Sequence, residues 1–178
     1  MKLQDVVENI VQDVAITLTE EFDRNFERKA FFDKKWPAEN YPNSRGSQMM
    51  RSGKLRKSVN HTVGNNSISW KSSLPYASIQ NEGGEIEVTA QMKAFFWAMY
   101  YKANGGAKSG TGGKQRVERL SKEASKWKAM ALLKVGTVMT VDQKQFIGWH
   151  PKVDAVIEEA VHFNMEDYNK YLLKQLKQ

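Results

Sequence analysis

The chain has 178 residues, of which 40% are hydrophobic, with no cysteine and a formal net charge of +7. That length suits one domain with a real core, and the missing cysteine excludes disulfides, thiolate metal sites and a cysteine nucleophile, so packing must supply the stability. No apolar run approaches the roughly 18 residues needed to cross a bilayer, and the opening Met1-Lys2-Leu3-Gln4-Asp5 turns polar at once, so the expectation is a protein made and used in a cytoplasm, away from membranes.

The charge is unevenly spread: +2 over residues 1–58, +6 over 59–135 and −1 over 136–178. Between Lys93 and Lys134 ten basic residues face only Glu118 and Glu123, which makes the basic character a local feature.

In chain order, Leu3, Val7, Ile10, Val14, Leu18, Phe22 and Phe26 step by three or four and predict a long helix over residues 3–32. It should stop near Trp36-Pro37, because proline disfavours helical geometry in the residue before it. Residues 36–52, with Pro37, Asn40, Pro42, Asn43, Ser44 and Gly46, read as an irregular connection. After Gly53 the period becomes two, with Leu55, Val59 and Val63 on one side and Arg56, Ser58, Asn60 and Thr62 on the other, as in a half-buried strand. Gly64-Asn65-Asn66 is turn chemistry and Ile68 and Trp70 alternate behind it, so a β-hairpin is predicted. Tyr76-Ala77-Ser78-Ile79-Gln80 reads as a helical turn ended by Gly83-Gly84, followed by a brief strand through Ile86 and Val88.

Thr89 is placed to cap a helix running to about residue 103, in which Met92, Phe95, Phe96, Trp97, Met99 and Tyr100 cover more than one face. A second helix over residues 115–135 aligns Val117, Leu120, Ala124, Trp127 and Ala131, with Arg116, Arg119, Lys122, Lys126 and Lys128 largely off that stripe. Their Gly-rich junction predicts a helical hairpin over 90–135 with a mobile tip at 104–114. Residues 137–141 then read as a strand returning to the sheet, and Pro151 opens a closing helix carrying Val153, Val156, Ile157, Ala160, Val161, Met165, Tyr168, Leu172 and Leu176. The predicted fold is a single α+β domain over 1–178: a long N-terminal helix, a small antiparallel sheet interrupted by the inserted helical hairpin, and a long C-terminal helix.

Reactive chemistry is hard to place. A P-loop needs a glycine five residues before Gly113-Lys114 and a Ser or Thr after the lysine, but Lys108 and Gln115 stand there, so the segment reads as a solvated linker. His61, His150 and His162 fall in three different elements without metal-ligand spacing, and His61, beside Val59 and Val63, reads as a hydrogen-bonded, partly buried histidine. Glu158-Glu159 and Asp142 show no paired acid-base arrangement. No catalytic, metal or cofactor residue is therefore assigned, and the expectation is not an enzyme. Candidates for a protein interface are Phe95, Phe96, Trp97, Met99, Tyr100 and Trp127, with Arg116, Arg119, Lys122 and Lys126 as a basic contact surface. The same basic hairpin, with Tyr101 among its interleaved aromatics, is the one nucleic-acid signal, and it keeps open a nucleic-acid-binding module using residues 93–134.

Three segments, residues 51–59 around Gly53-Lys54-Leu55-Arg56-Lys57-Ser58, residues 76–84 around Tyr76-Ala77 and Gly83, and Phe146-Ile147-Gly148, together resemble the phage virion morphogenesis or tail-completion family of Mu-like and related phages. Arg51-Ser52-Gly53-Lys54-Leu55-Arg56-Lys57-Ser58-Val59 is similar to its small-Gly-x-Leu-Arg-x-Ser signature. Tyr76-Ala77-Ser78-Ile79-Gln80-Asn81-Glu82-Gly83-Gly84 is similar to its Tyr-Ala-x-x-His-x-x-Gly segment, with Gln80 in place of the histidine. Phe146-Ile147-Gly148 is similar to the Phe-Leu-Gly before its last helix, with Gln145 where arginine is common. The motif residues Gly53, Leu55, Arg56, Ser58, Tyr76, Ala77, Gly83, Phe146 and Gly148 have structural readings and supply no nucleophile, base or ligand set. The resemblance implies a bacteriophage or prophage structural protein acting in late virion assembly, in tail completion or head-tail joining. It further implies a ring or other homo-oligomer, contacts with tail or neck proteins, and passage from the host cytoplasm into the virion.

Overall fold

The computed structural model describes residues 2–38, 48–64, 66–108 and 113–177. The first helix, α1 (Leu3–Arg28), buries Val14, Leu18, Phe22 and Phe26 of its apolar stripe. It ends four residues before the spacing predicts, because Lys29 turns left-handed at φ 54° and donates its N–H to the Asn25 carbonyl. The chain then reverses through two short strands, β1 (Ala30–Phe31) and β2 (Lys34–Lys35), closed by the Trp36 N–H on the Lys29 carbonyl at 2.9 Å. Phe31 and Phe32 still reach the core, from a turn instead of from a helix, which is why the apolar periodicity overran the helix end.

Asn40, Pro42, Asn43, Ser44 and Gly46 of the predicted connection lie outside the described residues. The strand expected to begin after Gly53 starts later. A one-turn helix, α2 (Lys54–Ser58), comes first, and β3 (Val59–Gly64) follows it. Leu55 and Val59 are four apart, a spacing common to both periods, so alternation alone did not separate helix from strand there. β3 pairs antiparallel with β4 (Ser67–Ser72), bringing Val63 opposite Ile68 and His61 opposite Trp70, with Asn66 left-handed in the two-residue loop.

The predicted helical turn is α3 (Ala77–Glu82), stopped at Gly83, whose φ is 71° and where a Cβ would stand 2.9 Å from the Gln143 backbone nitrogen. β5 (Gly84–Glu87) pairs antiparallel with β6 (Val138–Val141), and between them is inserted the predicted hairpin, α4 (Ala90–Lys108) and α5 (Gly113–Leu132). The Thr89 hydroxyl accepts the Met92 N–H at 3.1 Å, capping α4 as expected. α4 runs through Gly105 and Gly106 to Lys108, farther than predicted, and of the Gly-rich tip residues 109–112 lie outside the described residues. Phe146-Ile147-Gly148 lies beyond the end of β6 and bends at Ile147 and Gly148, and α6 (Pro151–Leu176) opens with proline in its first turn and His150 as its cap.

The class is α+β, with long terminal helices and small antiparallel sheets of two strands each. α6 packs along α1. One buried cluster joins Val14, Leu18, Phe22, Phe31 and Phe32 to Ile68 and Trp70 of β4 and to Val153, Val156 and Ala160 of α6. A second gathers Phe26, Trp36, Leu55, Ala77 and Phe146, and a third lies inside the hairpin. No helix among the described residues is long and apolar enough to cross a membrane.

Candidate interaction surfaces

The three motif segments, far apart in the chain, meet in the second cluster. Leu55, Ala77 and Phe146 each come from a different segment and pack around Phe26 and Trp36, with the Phe26 and Phe146 ring centres 5.1 Å apart. Phe146 is wholly buried, and its segment is held by polar groups on both sides. Asn81 Oδ1 accepts the Phe146 and Ile147 N–H groups at 2.9 and 3.1 Å, the Gln80 carbonyl accepts the Lys144 N–H at 2.8 Å, and Trp36 Nε1 donates to the Gln145 carbonyl at 2.6 Å. Asn25, fully buried, completes the strap: its Nδ2 donates to the Phe146 carbonyl at 3.2 Å and its Oδ1 accepts the Phe32 N–H at 2.9 Å. Asn25 went unnoticed in the sequence, although a lone amide among Phe22, Phe26 and Leu18 on one helical face was its signal.

Arg56 binds back to α1. Its guanidinium grips Asp23 with two nitrogens, the Nε contact at 2.5 Å, and reaches Glu27 at 2.7 Å. The hydrogen bonds it donates to Asp23 and then to Glu27 push its pKa above the usual arginine value, so the charge is permanent. The Ser58 hydroxyl donates to the Leu55 carbonyl at 2.7 Å, so Ser72 Oγ, also 2.7 Å away, must be the donor to Ser58 while it accepts the Leu74 N–H at 3.2 Å. Gly53 enters α2 with a left-handed φ of 67°, and Gly148 precedes α6 with φ 136°. Tyr76 is exposed and stands outside the cluster. These residues brace the body of the protein, and the contacts described for them are packing and support.

The hairpin sorts its aromatics differently from the sequence expectation. Phe96 and Trp127 stack with centroids 6.0 Å apart and are buried with Ala103, Ala124 and Ala131, so these two interface candidates are taken up by the hairpin's own core. Helical spacing explains it: Met92, Phe96, Met99 and Ala103 line the α5 side of α4. Trp97, Met99 and Tyr100 are half-buried, while Phe95 is 43% exposed and Tyr101, stacked on Trp97 at 5.9 Å, is 66% exposed. Glu123 is buried on the inner stripe of α5 and accepts the Trp127 indole N–H at 3.2 Å, a structural role that its listing as one of two acids on a basic segment did not reveal.

Of the basic candidates, Lys122 is exposed and pairs with Glu118 at 2.8 Å, and that hydrogen bond, then the lysine charge, lowers the Glu118 pKa. The Lys126 ammonium lies 5.7 Å from the Trp127 ring centre, a cation–π distance. The side chains of Arg116 and Arg119 lie outside the described residues.

The three histidines stay apart. His61 Nδ1 is 3.0 Å from Thr19 Oγ1, whose single proton goes to the Ala15 carbonyl at 2.6 Å and which also accepts Trp70 Nε1–H at 2.9 Å. His61 therefore carries its proton on Nδ1 and bridges β3 to α1 as a bonded, partly buried residue. His150 stacks on Phe32 at 4.7 Å, reaches Asp33 at 3.1 Å and caps α6 by accepting the Lys152 N–H at 3.2 Å. His162 is exposed, 3.4 Å from Glu166. Among the described residues no group of three or more His, Asp or Glu side chains is gathered as a metal site.

A surface feature that the sequence did not single out is on α6. Val153, Val156 and Ala160 pack on the first cluster, and Asn164 donates to Asp13 at 2.7 Å, but Ile157, Val161, Met165, Leu172 and Leu176 are exposed. The helical recurrence noted in the sequence thus covers two adjacent strips, only one of which faces α1. No family model, curated protein or solved structure matches this chain.

Proposed function

We propose that this chain is a phage or prophage structural protein used late in virion assembly, in tail completion or head-tail joining, acting through protein–protein contacts in the host cytoplasm and then in the particle. The observation that carries the reading is the convergence of Leu55, Ala77 and Phe146, one from each motif segment, on a single buried cluster. Residues whose shared purpose is to hold a body together leave outward faces, not a reactive pocket, as the working part. Exposed Phe95, Tyr101, Ile157, Val161, Leu172 and Leu176 supply such faces, since contiguous apolar patches commonly mark contacts.

The test is deletion of the coding sequence from the phage or prophage that carries it, with lysates viewed by electron microscopy. The expected outcome is DNA-filled heads separated from tails, or malformed tail ends, and restored infectivity when purified protein is added. Intact, infectious particles without the protein overturn the reading. The exposed Lys122 and the half-buried Lys126 favour one second reading, a nucleic-acid-binding module on residues 93–134. That reading gains if duplex DNA binds with steep salt dependence and Lys122→Ala with Lys126→Ala abolishes binding.

A further inference from the structure

Two outward apolar faces are left over once the clusters are built, and they sit on elements of opposite charge. On α6, Ile157, Val161, Met165 and Leu172 form one exposed strip. By the 3.6-residue period Asp154 and Glu158 lie along that strip, whereas Lys152, Lys170 and Lys174 lie on the far side of the helix. On α4 the side turned away from α5 exposes Ala94 and Ala98 as a shallow ledge, bordered by Phe95 and Tyr101 and followed by Lys102. α4 carries no acidic residue.

We infer that these two faces bind each other in different copies of the chain, with the α4 ledge of one copy seated on the α6 strip of the next. Charge chooses the pairing. Among the described residues neither Glu158 nor Lys102 has an ion-pair partner within its own copy. Setting α4 on α4 offers Lys102 no anion, and setting α6 on α6 offers Asp154 and Glu158 no cation in either direction. Setting α4 on α6 brings Lys102 toward Asp154 and Glu158, and of the three pairings it alone joins opposite charges. Shape agrees, since the alanine ledge leaves room for the larger branched chains of α6 while Phe95 and Tyr101 act as stiff aromatic anchors at its rim. The contact is heterologous, so a copy that uses one of its two faces keeps the other for a further neighbour.

This names the self-association surface of the assembly reading, and the experiment is independent of any particle. Solution mass is measured by light scattering over a concentration series for the wild type, for Val161→Glu with Met165→Glu, and for Ala98→Glu with Tyr101→Glu, with circular dichroism confirming that each variant is folded. The wild type is expected to grow past a dimer and to shrink in added salt. Each variant alone is expected to be monomeric, its association weakened at least about tenfold. An equimolar mixture of the two variants is expected to stop at a one-to-one pair, because each supplies the face the other lost. A wild type monomeric at every concentration overturns the proposal, as does a mixture that stays monomeric or an α4 variant that associates normally. Should the glutamate pairs unfold the chain, Lys102→Glu and Glu158→Lys replace them: each alone weakens association, the mixture restores it, and absence of that restoration overturns the contact. Self-association without any assembly defect on deletion would instead remove the virion role and leave the contact standing.

Discussion

The body around α1 and the inserted hairpin are held together by different means. In the body, Phe146 meets Phe26 and Leu55, and Asn25 bonds both Phe32 and Phe146, so residues from distant parts of the chain close one core. In the hairpin, Phe96, Ala103, Ala124, Trp127 and Ala131 come from two consecutive helices, and among the described residues the outside support in that cluster is Met139 of β6. A core assembled from long-range contacts and buried polar straps fails as a unit, whereas one made by two neighbouring helices opens locally. The hairpin is thus free to vary its outer face without disturbing the body that carries it.

That contrast can be broken or sharpened by substitution. Phe146→Ala should have the largest effect, a loss of about 4 kcal/mol from a fully buried ring, seen as a lower denaturation midpoint for the whole body. Trp127→Ala should cost about 3 kcal/mol within the hairpin. Hydrogen exchange should then speed up over residues 90–132 while α1 and α6 keep their protection, and equal loss in both regions would erase the distinction between them. Asn25→Ala should cost about 2 kcal/mol, because it leaves the Phe32 N–H and the Phe146 carbonyl buried without partners, and thermal melts should report it as a loss in the body alone. Arg56→Lys keeps the charge but not the two-pronged grip on Asp23, so about 1 kcal/mol should be lost, discounted for its partial exposure.

The smallest effect concerns Glu21. Burial acts to raise its pKa, but hydrogen bonds and charge from Arg28 and Arg24 outweigh that and hold it below the ordinary 4.5. A depressed folded pKa contributes stability above the unfolded value, and the contribution fades as pH falls through the folded one. Arg28→Gln should therefore lower stability by roughly 0.5 kcal/mol at neutral pH, with the difference from wild type vanishing in acid, as melts over a pH series would record.

How much of this was legible follows the same division. Helical period identified α1, the hairpin helices and α6, and the cap at Thr89, the stop at Gly83 and the proline opening α6 were read from local chemistry. The pairing of β3 with β4 as a β-hairpin followed from Gly64-Asn65-Asn66 and the alternation on either side. These are short-range choices, made by residues a few positions apart, and the residues themselves carry them.

What the tertiary structure alone decided depends on partners far along the chain. α1 stops at Arg28 because the Asn25 side chain takes the Phe32 N–H and the chain can turn there with its polar groups satisfied. Phe96 and Trp127 are inward, and Tyr101 outward, because α5 covers only one side of α4, and more than half of the apolar residues on α6 are exposed because α1 covers only one strip of it. Periodicity tells which residues share a face of a helix, but the neighbour that buries that face is chosen by packing across the whole molecule, and a sequence pattern has no term for it.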